Sequence, residues 1–433
     1  MASAMNAALN DYAAPHQHGP PKYENGSDKF SNGSKNELGN QPSVEEGEQK
    51  FHKLGWKRLT ICLIVEAIAL GSLSLPSAFA AVGMVAGTIL SVGLGLIAIY
   101  TSYVVGQVKL KFPDVEHYAD AVRLIWGRFG YELTGAIPPL LLAIPPTFAE
   151  FAILGYVDFA SIIIAIGITI IATGVEAHNA PGGLSAVNWS AWPPEDISFS
   201  SAFNAVTNIV FAYSFAVCQF SFMSELHTPK DYVKSIWALG LIEIFIYTVT
   251  GALVYAFVGQ SVSSPALLSA GHVVSRVAFG IALPVIFISG SINATVAGRY
   301  ILGRAFKNSP IRFINTKAGW AVWIGILIVQ IIIAWVVAEA IPFFGDLLGI
   351  ISSLFSSGFT FYFPALFWFQ LIKEGPWYRG WKNITLSVLN AMCFLIGIAV
   401  LGCGTYSSIA DIVDQYNAGT VRGAFTCDAN SYT

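Results

Sequence analysis

Long apolar runs separated by short polar segments dominate the chain after residue 55. Their lengths match the roughly 20 residues that an α-helix needs to cross a bilayer. The pattern predicts nine membrane-spanning helices, over residues 59–82, 86–108, 154–175, 203–225, 236–258, 278–300, 319–340, 346–371 and 384–404. A further apolar stretch, residues 136–144, is too short to cross. The fold class is therefore predicted to be an all-α polytopic membrane protein.

Composition agrees with this prediction, since 55% of the residues are hydrophobic and 11% are charged, against about 25% charged residues in a soluble domain. Residues 1–54 are polar, contain no apolar core of a signal peptide and are predicted to form a disordered tail. The five cysteines show no metal-ligand spacing, and no nucleophile–base pair or metal cluster lies within the predicted spans. We therefore expect neither an enzyme nor a nucleic-acid partner, and the expected partners are the lipid bilayer and a small-molecule substrate.

The positions of Lys and Arg predict the orientation, because cytosolic loops are enriched in these residues. With the N-terminal tail in the cytosol and nine spans, the loops 176–202, 259–275 and 341–345 lie outside and contain neither residue type. After the first span, only Arg276 and Arg422 fall on the outer side. The asymmetry predicts a cytosolic N-terminus, a transmembrane domain over 55–410 and a short extracytosolic tail over 411–433.

The first predicted span contains residues that disfavour a helix at its centre, from Gly71 to Pro76. Proline lacks an N–H and clashes with the carbonyl four residues earlier, and a helical glycine costs about 1 kcal/mol relative to alanine. The pattern predicts a break at membrane depth, with a kinked structural helix as the alternative. Freed backbone groups there are expected to bind a small polar ligand.

A second interruption is predicted in the span 203–225, whose centre runs from Phe211 through Ala212 and Tyr213 to Ser214. The signal is weaker, because no proline or glycine forces a break. Its position matters more, since this span opens a second set of five as the first span opens the chain. Two interrupted helices that each begin one half are typical of inverted-repeat secondary transporters.

Glu66 is the deepest acid of the predicted spans and precedes Gly71 by about one turn. An ionisable residue inside a membrane is a candidate functional residue. Glu66 is interpreted either as a proton-coupling acid or as a protonated or paired carboxyl within the bundle. For Glu225, Glu243 and Glu339 a structural role is favoured.

The span 278–300 is the most polar of the second half and carries Ser289, Asn293 and Thr295. Its hydroxyls are expected either to bond helix carbonyls one turn earlier or to complete a cation or substrate site with the interrupted helices.

Residues 56–66 and 71–87 resemble the first two helices of the amino acid/auxin permease family, in particular the fungal neutral amino acid permeases of the methyltryptophan-resistance type. Residues 211–235, 290–301 and 338–355 are similar to later segments of the same family. The resemblance implies a LeuT-type inverted-repeat fold and symport of neutral or aromatic L-amino acids, with protons as the driving ion and no cofactor.

By this resemblance, backbone N–H groups around Gly71, Ser72, Leu73 and Ser74 would bind the substrate carboxylate. Carbonyls around Phe211, Ala212, Tyr213 and Ser214 would bind its ammonium group. From the residues themselves, the candidate ion-coupling residues are Glu66, Ser289, Asn293 and Thr295. The plasma membrane is the expected location, with the vacuolar membrane as the alternative.

The chain departs from the family pattern in one place, because the family has about eleven spans and this sequence predicts nine. The third and fourth spans are expected to be missing around residues 131–147. Either the sequence derives from a mispredicted or alternatively spliced gene product, which is the favoured interpretation, or the chain is a variant with impaired transport. An amino-acid-binding membrane sensor is the alternative function.

Overall fold

A computed structural model of the chain describes residues 55–135, 148–306, 316–340 and 344–417, together with 309 and 311. The predicted tail 1–54, the segment 136–147 and residues 418–433 lie outside the described residues. The helices are, in chain order, α1 (Trp56–Val82), α2 (Met84–Lys111), α3 (Tyr118–Gly135), α4 (Phe148–Asn179), α5 (Phe199–Ala212), α6 (Gln219–Ser224), α7 (Tyr232–Val258), α8 (His272–Ala305), α9 (Lys317–Ala340), α10 (Phe344–Ile351), α11 (Phe363–Phe367), α12 (Trp381–Ala399) and α13 (Thr405–Asn417).

Eight helical segments of the described chain are long and apolar enough to cross a membrane. They are α2, α4, α5 with α6, α7, α8, α9, α10 with α11, and α12 with α13. Helix α1, with 27 residues, includes the apolar segment Gly71–Val82. The helices coincide with the predicted spans, so the all-α polytopic fold class is confirmed. No β-strand occurs in the described ranges.

Helix α1 occupies the centre of the bundle and packs against α7, α5, α4, α8 and α2. Its buried side chains include Leu63, Ile68 and Leu75, which join the largest hydrophobic cluster. Since neighbours cover α1 on several sides, its apolar residues are not restricted to one stripe.

The predicted break in the first span is wrong, because α1 is a single helix with Pro76 inside it. The Ser72 hydroxyl donates to the carbonyl of Ile68 at 3.1 Å, and the Ser74 hydroxyl donates to that of Gly71 at 2.9 Å. Pro76 removes one backbone donor, but serine hydroxyls and close neighbouring helices can stabilise a helix around such a defect. Packing on several sides thus outweighs the local preference against a helix.

The predicted interruption of the second broken helix is confirmed. Helix α5 ends at Ala212, and Tyr213 and Ser214 have φ/ψ of −98°/25° and −86°/13°, outside regular helix values. A 3₁₀ turn, Phe215–Cys218, follows and leads into α6. The chain therefore crosses the bundle as two short helices joined by a tight non-helical turn.

Helix α3 is an element that the apolar pattern did not predict. Its first turn is fixed by Asp120, whose carboxylate accepts the backbone N–H groups of Glu116 at 3.2 Å and His117 at 3.0 Å. Tyr118 on the same turn is buried, and its hydroxyl donates to the Phe359 carbonyl at 2.8 Å. α3 thus packs on the aromatic cluster around Phe363 through Tyr118, Val122 and Trp126.

The last membrane segment is longer than the predicted span 384–404. A π-helical turn, Val400–Gly404, joins α12 to α13, and the helix continues to Asn417. Residues 411–417 are therefore helical rather than part of the predicted tail. The continuation is polar on one side, since Asp411 accepts a hydrogen bond from Ser201 at 3.3 Å.

Candidate functional site

The two segments predicted to form the site lie against each other. A Cβ atom on Gly71 would lie 2.9 Å from the Cα of Ala212 and 3.1 Å from its Cβ. Gly71 is at the middle of α1, and Ala212 is the last residue of α5, immediately before the interruption. The absence of a side chain at Gly71 therefore allows α1 to touch the backbone of the broken helix.

Tyr247 of α7 bridges α1 and the broken helix. Its hydroxyl lies 2.8 Å from the carbonyl oxygen of Ala67 and 3.1 Å from that of Ala212, and the two carbonyls share its single proton. The side chain is completely buried. Sequence reasoning missed this residue, although a tyrosine in the centre of the apolar span 236–258 was the available signal.

A second set of polar contacts involves the side chain of Tyr213 at the interruption. The Tyr213 hydroxyl lies 3.1 Å from the hydroxyl of Ser91 in α2, which also accepts a hydrogen bond from Thr248 of α7 at 3.2 Å. The Tyr213 ring meets the Tyr247 ring edge to face, with centroids 5.1 Å apart. The network therefore ties α2, α7 and the interruption together.

The backbone groups expected to bind substrate are engaged within the protein. In a continuous helix the N–H groups of Ser72, Leu73 and Ser74 bond carbonyls one turn earlier. The carbonyl of Phe211 accepts the N–H of Ser214 at 3.1 Å, and Tyr247 donates to the carbonyl of Ala212. Since these carbonyls lie at the C-terminal end of α5, the helix dipole favours a cation there.

The predicted ion-coupling residues of α8 are in different situations. The Thr295 hydroxyl is buried and donates to the carbonyl of Ser291 at 3.0 Å, as in the first of the two alternatives. Ser289 is also buried. The side chains of Asn293 and Glu66 lie outside the described residues, so their predicted roles stay predictions.

An ion pair joins the broken helix to α8 near the end of both elements. Glu225 follows α6 directly, and its carboxylate accepts a hydrogen bond from the Arg299 guanidinium. Glu225 is almost fully buried. Nearby, His117 contacts Ser221 through Nδ1 at 3.1 Å and meets the ring of Tyr300 edge to face. This ion pair agrees with the structural role that the sequence favours for Glu225.

Helices of membrane-crossing length packed around α1, with a broken helix and polar groups at the break, define a polytopic membrane protein. The model of the family "Transmembrane amino acid transporter protein" matches residues 52–138 and 136–410. The chain belongs to this family of amino acid transporters, which are not enzymes.

Several curated proteins are similar to the chain. "N amino acid transport system protein" of Neurospora crassa is 57% identical, over 89% of this chain and 91% of the relative. "Transmembrane transporter" of Fusarium pseudograminearum is 26% identical, over 91% and 94%. "Amino acid permease 2" of Arabidopsis thaliana is 24% identical, over 48% and 46%.

Proposed function

We propose that the chain is a secondary active transporter that imports neutral or aromatic L-amino acids by alternating access, with protons as the driving ion. The relative from Neurospora crassa carries a name that states amino acid transport, and it supports the general activity. The plasma membrane is the proposed location, and the N-terminus is proposed to be cytosolic. The asymmetry of Lys and Arg supports this orientation.

The observation that carries the proposal is the contact of Gly71 with Ala212, the last residue before the interruption, under the hydroxyl of Tyr247. A zwitterionic amino acid needs an acceptor for its ammonium group, and the carbonyls at the end of α5 supply one. Tyr213 and Tyr247 line the same point with aromatic rings, which suits a neutral or aromatic side chain. Because Gly71 and Ala212 touch, a substrate between them requires α1 and α5 to separate.

The experiment is uptake by the purified chain in proteoliposomes. Labelled phenylalanine, leucine, lysine and glutamate are offered under an inward proton gradient, an inward sodium gradient, or neither. We expect accumulation of phenylalanine and leucine with the proton gradient only. Accumulation driven by sodium alone, or preferential uptake of lysine or glutamate, would contradict the proposal.

A transport-deficient variant or an amino-acid sensor is the second candidate, and two observations favour it. The family match is divided into two segments that meet at residues 136–138. In addition, the alignment with the Neurospora crassa relative runs over 428 positions but covers only 89% of this 433-residue chain. The aligned positions therefore outnumber the residues that this chain contributes to them. Part of that relative therefore has no counterpart here, which supports two missing spans. Binding of an amino acid without accumulation would favour this candidate.

A further inference from the structure

Asp158 of α4 is a buried acid that the proposed site does not use. Its side chain is 0% exposed and lies within a segment that can cross a membrane. Neither carboxylate oxygen has a hydrogen-bond partner among the described residues. An ionised carboxylate without partners is very costly in such a place, so the neutral, protonated form is favoured.

The neighbours of Asp158 place it beside the centre of the bundle. One turn earlier, a Cβ atom on Gly155 would lie 3.0 Å from Cγ2 of Ile61 and 3.3 Å from Cγ2 of Val65. Both contacts are on α1, which also carries Gly71. Asp158 therefore lies on a helix that packs directly on the helix in contact with the interruption.

The depth of Asp158 relative to α8 follows from one contact at the other end of α4. A Cβ atom on Gly271 would meet the Glu176 carboxylate, so the start of α8 lies beside the end of α4, and the two helices are antiparallel. Asp158 lies 18 residues before Glu176, and Ser289 lies 18 residues after Gly271. Both helices rise about 1.5 Å per residue, which places Asp158 and Ser289 at about the same depth.

The elements packed against α4 are α1, α7, α8 and two 3₁₀ turns. The two turns, Gly183–Ala186 and Ala266–Ser269, contain no titratable side chain. The titratable residues of the three helices nearest in depth are Cys62 and Glu66 on α1, Glu243 and Tyr247 on α7, and Arg299 and Tyr300 on α8.

Arg299 is the nearest base of α8, and it is bonded to Glu225. It lies ten residues beyond Ser289, which is about 15 Å along the helix. A base is therefore not expected to hold Asp158 in its ionised form.

We propose that Asp158 binds the coupling proton of this transporter, at the depth of Ser289 and next to α1. The inference rests on the proposed function, since it assumes that protons drive uptake. The carboxylate takes a proton from a hydronium ion of the outer aqueous phase, which forms one O–H bond and releases water. When the site opens inward, the acid returns the proton to water and becomes ionised again. Neutralisation of Asp158 thus accompanies each passage of substrate through the closed bundle.

The test compares the wild type with Asp158→Asn, Asp158→Glu and Glu66→Gln in proteoliposomes. Asp196→Asn, which changes an exposed acid of an outer loop, is the matched control. Uptake driven by a proton gradient is measured beside counterflow exchange of substrate without a gradient. We expect Asp158→Asn to lose accumulation entirely while counterflow remains, and Asp158→Glu to retain part of the accumulation. Accumulation by Asp158→Asn equal to that of the wild type would overturn the inference.

A second readout does not depend on transport. Infrared difference spectra across a pH titration detect the C=O stretch of a buried protonated carboxyl group. Glu243 is equally buried and contributes to the same spectral region, so we expect the band to lose intensity in Asp158→Asn relative to the wild type and the Asp196→Asn control. A band of undiminished intensity in Asp158→Asn would overturn the inference, and a loss of intensity in Glu66→Gln instead would assign the proton to Glu66. If the wild type accumulates substrate only with sodium, the proposed function fails, and the infrared band still decides whether Asp158 binds a proton.

Discussion

The close contact between Gly71 and Ala212 makes Gly71→Ala a direct test of how α1 meets the broken helix. A Cβ atom at position 71 would lie 2.9 Å from a backbone atom, whereas ordinary contacts begin at 3.4 Å. Since Cα of Ala212 cannot rotate away, the helices must move apart by about half an ångström. Overpacking of this kind costs roughly 1–3 kcal/mol.

The chain offers a control that removes the helix-propensity effect. Gly280 lies inside α8, and a Cβ atom there would meet nothing within 4 Å. Both substitutions gain up to about 1 kcal/mol of helix propensity. The difference in the free energy of unfolding between Gly71→Ala and Gly280→Ala therefore measures the contact alone, and we expect about 1–3 kcal/mol.

The measurement is the thermal stability of each purified variant in detergent, followed by uptake in proteoliposomes. Gly71→Ala is expected to be less stable than Gly280→Ala and to transport more slowly. Gly71→Val adds two further methyl groups and is expected to abolish uptake. Equal stability of Gly71→Ala and Gly280→Ala would refute the contact, and full uptake by a well-folded Gly71→Val variant would refute the site.

Three further predictions concern other parts of the structure. Tyr247→Phe removes the hydroxyl that two buried carbonyls share. We expect the free energy of unfolding to fall by about 1–3 kcal/mol while the protein stays folded, measured by thermal denaturation. Arg299→Gln breaks the buried ion pair with Glu225 and is expected to cost about 3–5 kcal/mol, part of which Glu225→Gln in the same chain should restore. Burial raises the pKa of Asp120 above its ordinary value, so the folded protein keeps a proton that the unfolded chain has already released. The free energy of unfolding should therefore fall as the pH rises from the pKa of Asp120 in the unfolded chain to its higher pKa in the folded protein. Asp120→Asn should flatten the profile of melting temperature against pH.

The two predicted interruptions show what the sequence could and could not predict. Gly71 and Pro76 gave the stronger signal for a break, yet α1 is continuous because five helices pack around it. The segment around Tyr213 gave the weaker signal and is interrupted. Local preferences describe a residue in isolation, whereas the Tyr213 turn is stabilised by contacts with Ser91 and α7 that only the fold creates.

Apolar run length predicted the membrane helices well, because the bilayer imposes a minimum length that any crossing helix must meet. The candidate site was predictable only in part. Gly71 and Ala212 were selected from the sequence and do touch, but Tyr247 and Asp158 lie in spans where a single polar residue gave little signal. Their importance depends on which neighbours they face, and that follows from packing between helices distant in sequence.

The positions of Tyr247 and Asp158 suggest how proton binding and substrate binding could be connected through α1. Tyr247 bonds the Ala67 carbonyl of α1 on one side, and Gly155, one turn before Asp158, packs on Ile61 and Val65 of the same helix on the other. If substrate separates α1 from Ala212, the Tyr247 bridge must break, and a shift of α1 changes the surroundings of Asp158. A substrate would then alter the proton affinity of Asp158, and a proton would alter substrate affinity by the same factor. Substrate affinity measured at several pH values should therefore depend on pH in the wild type and be constant in Asp158→Asn, and an unchanged dependence in that variant would exclude coupling through α1.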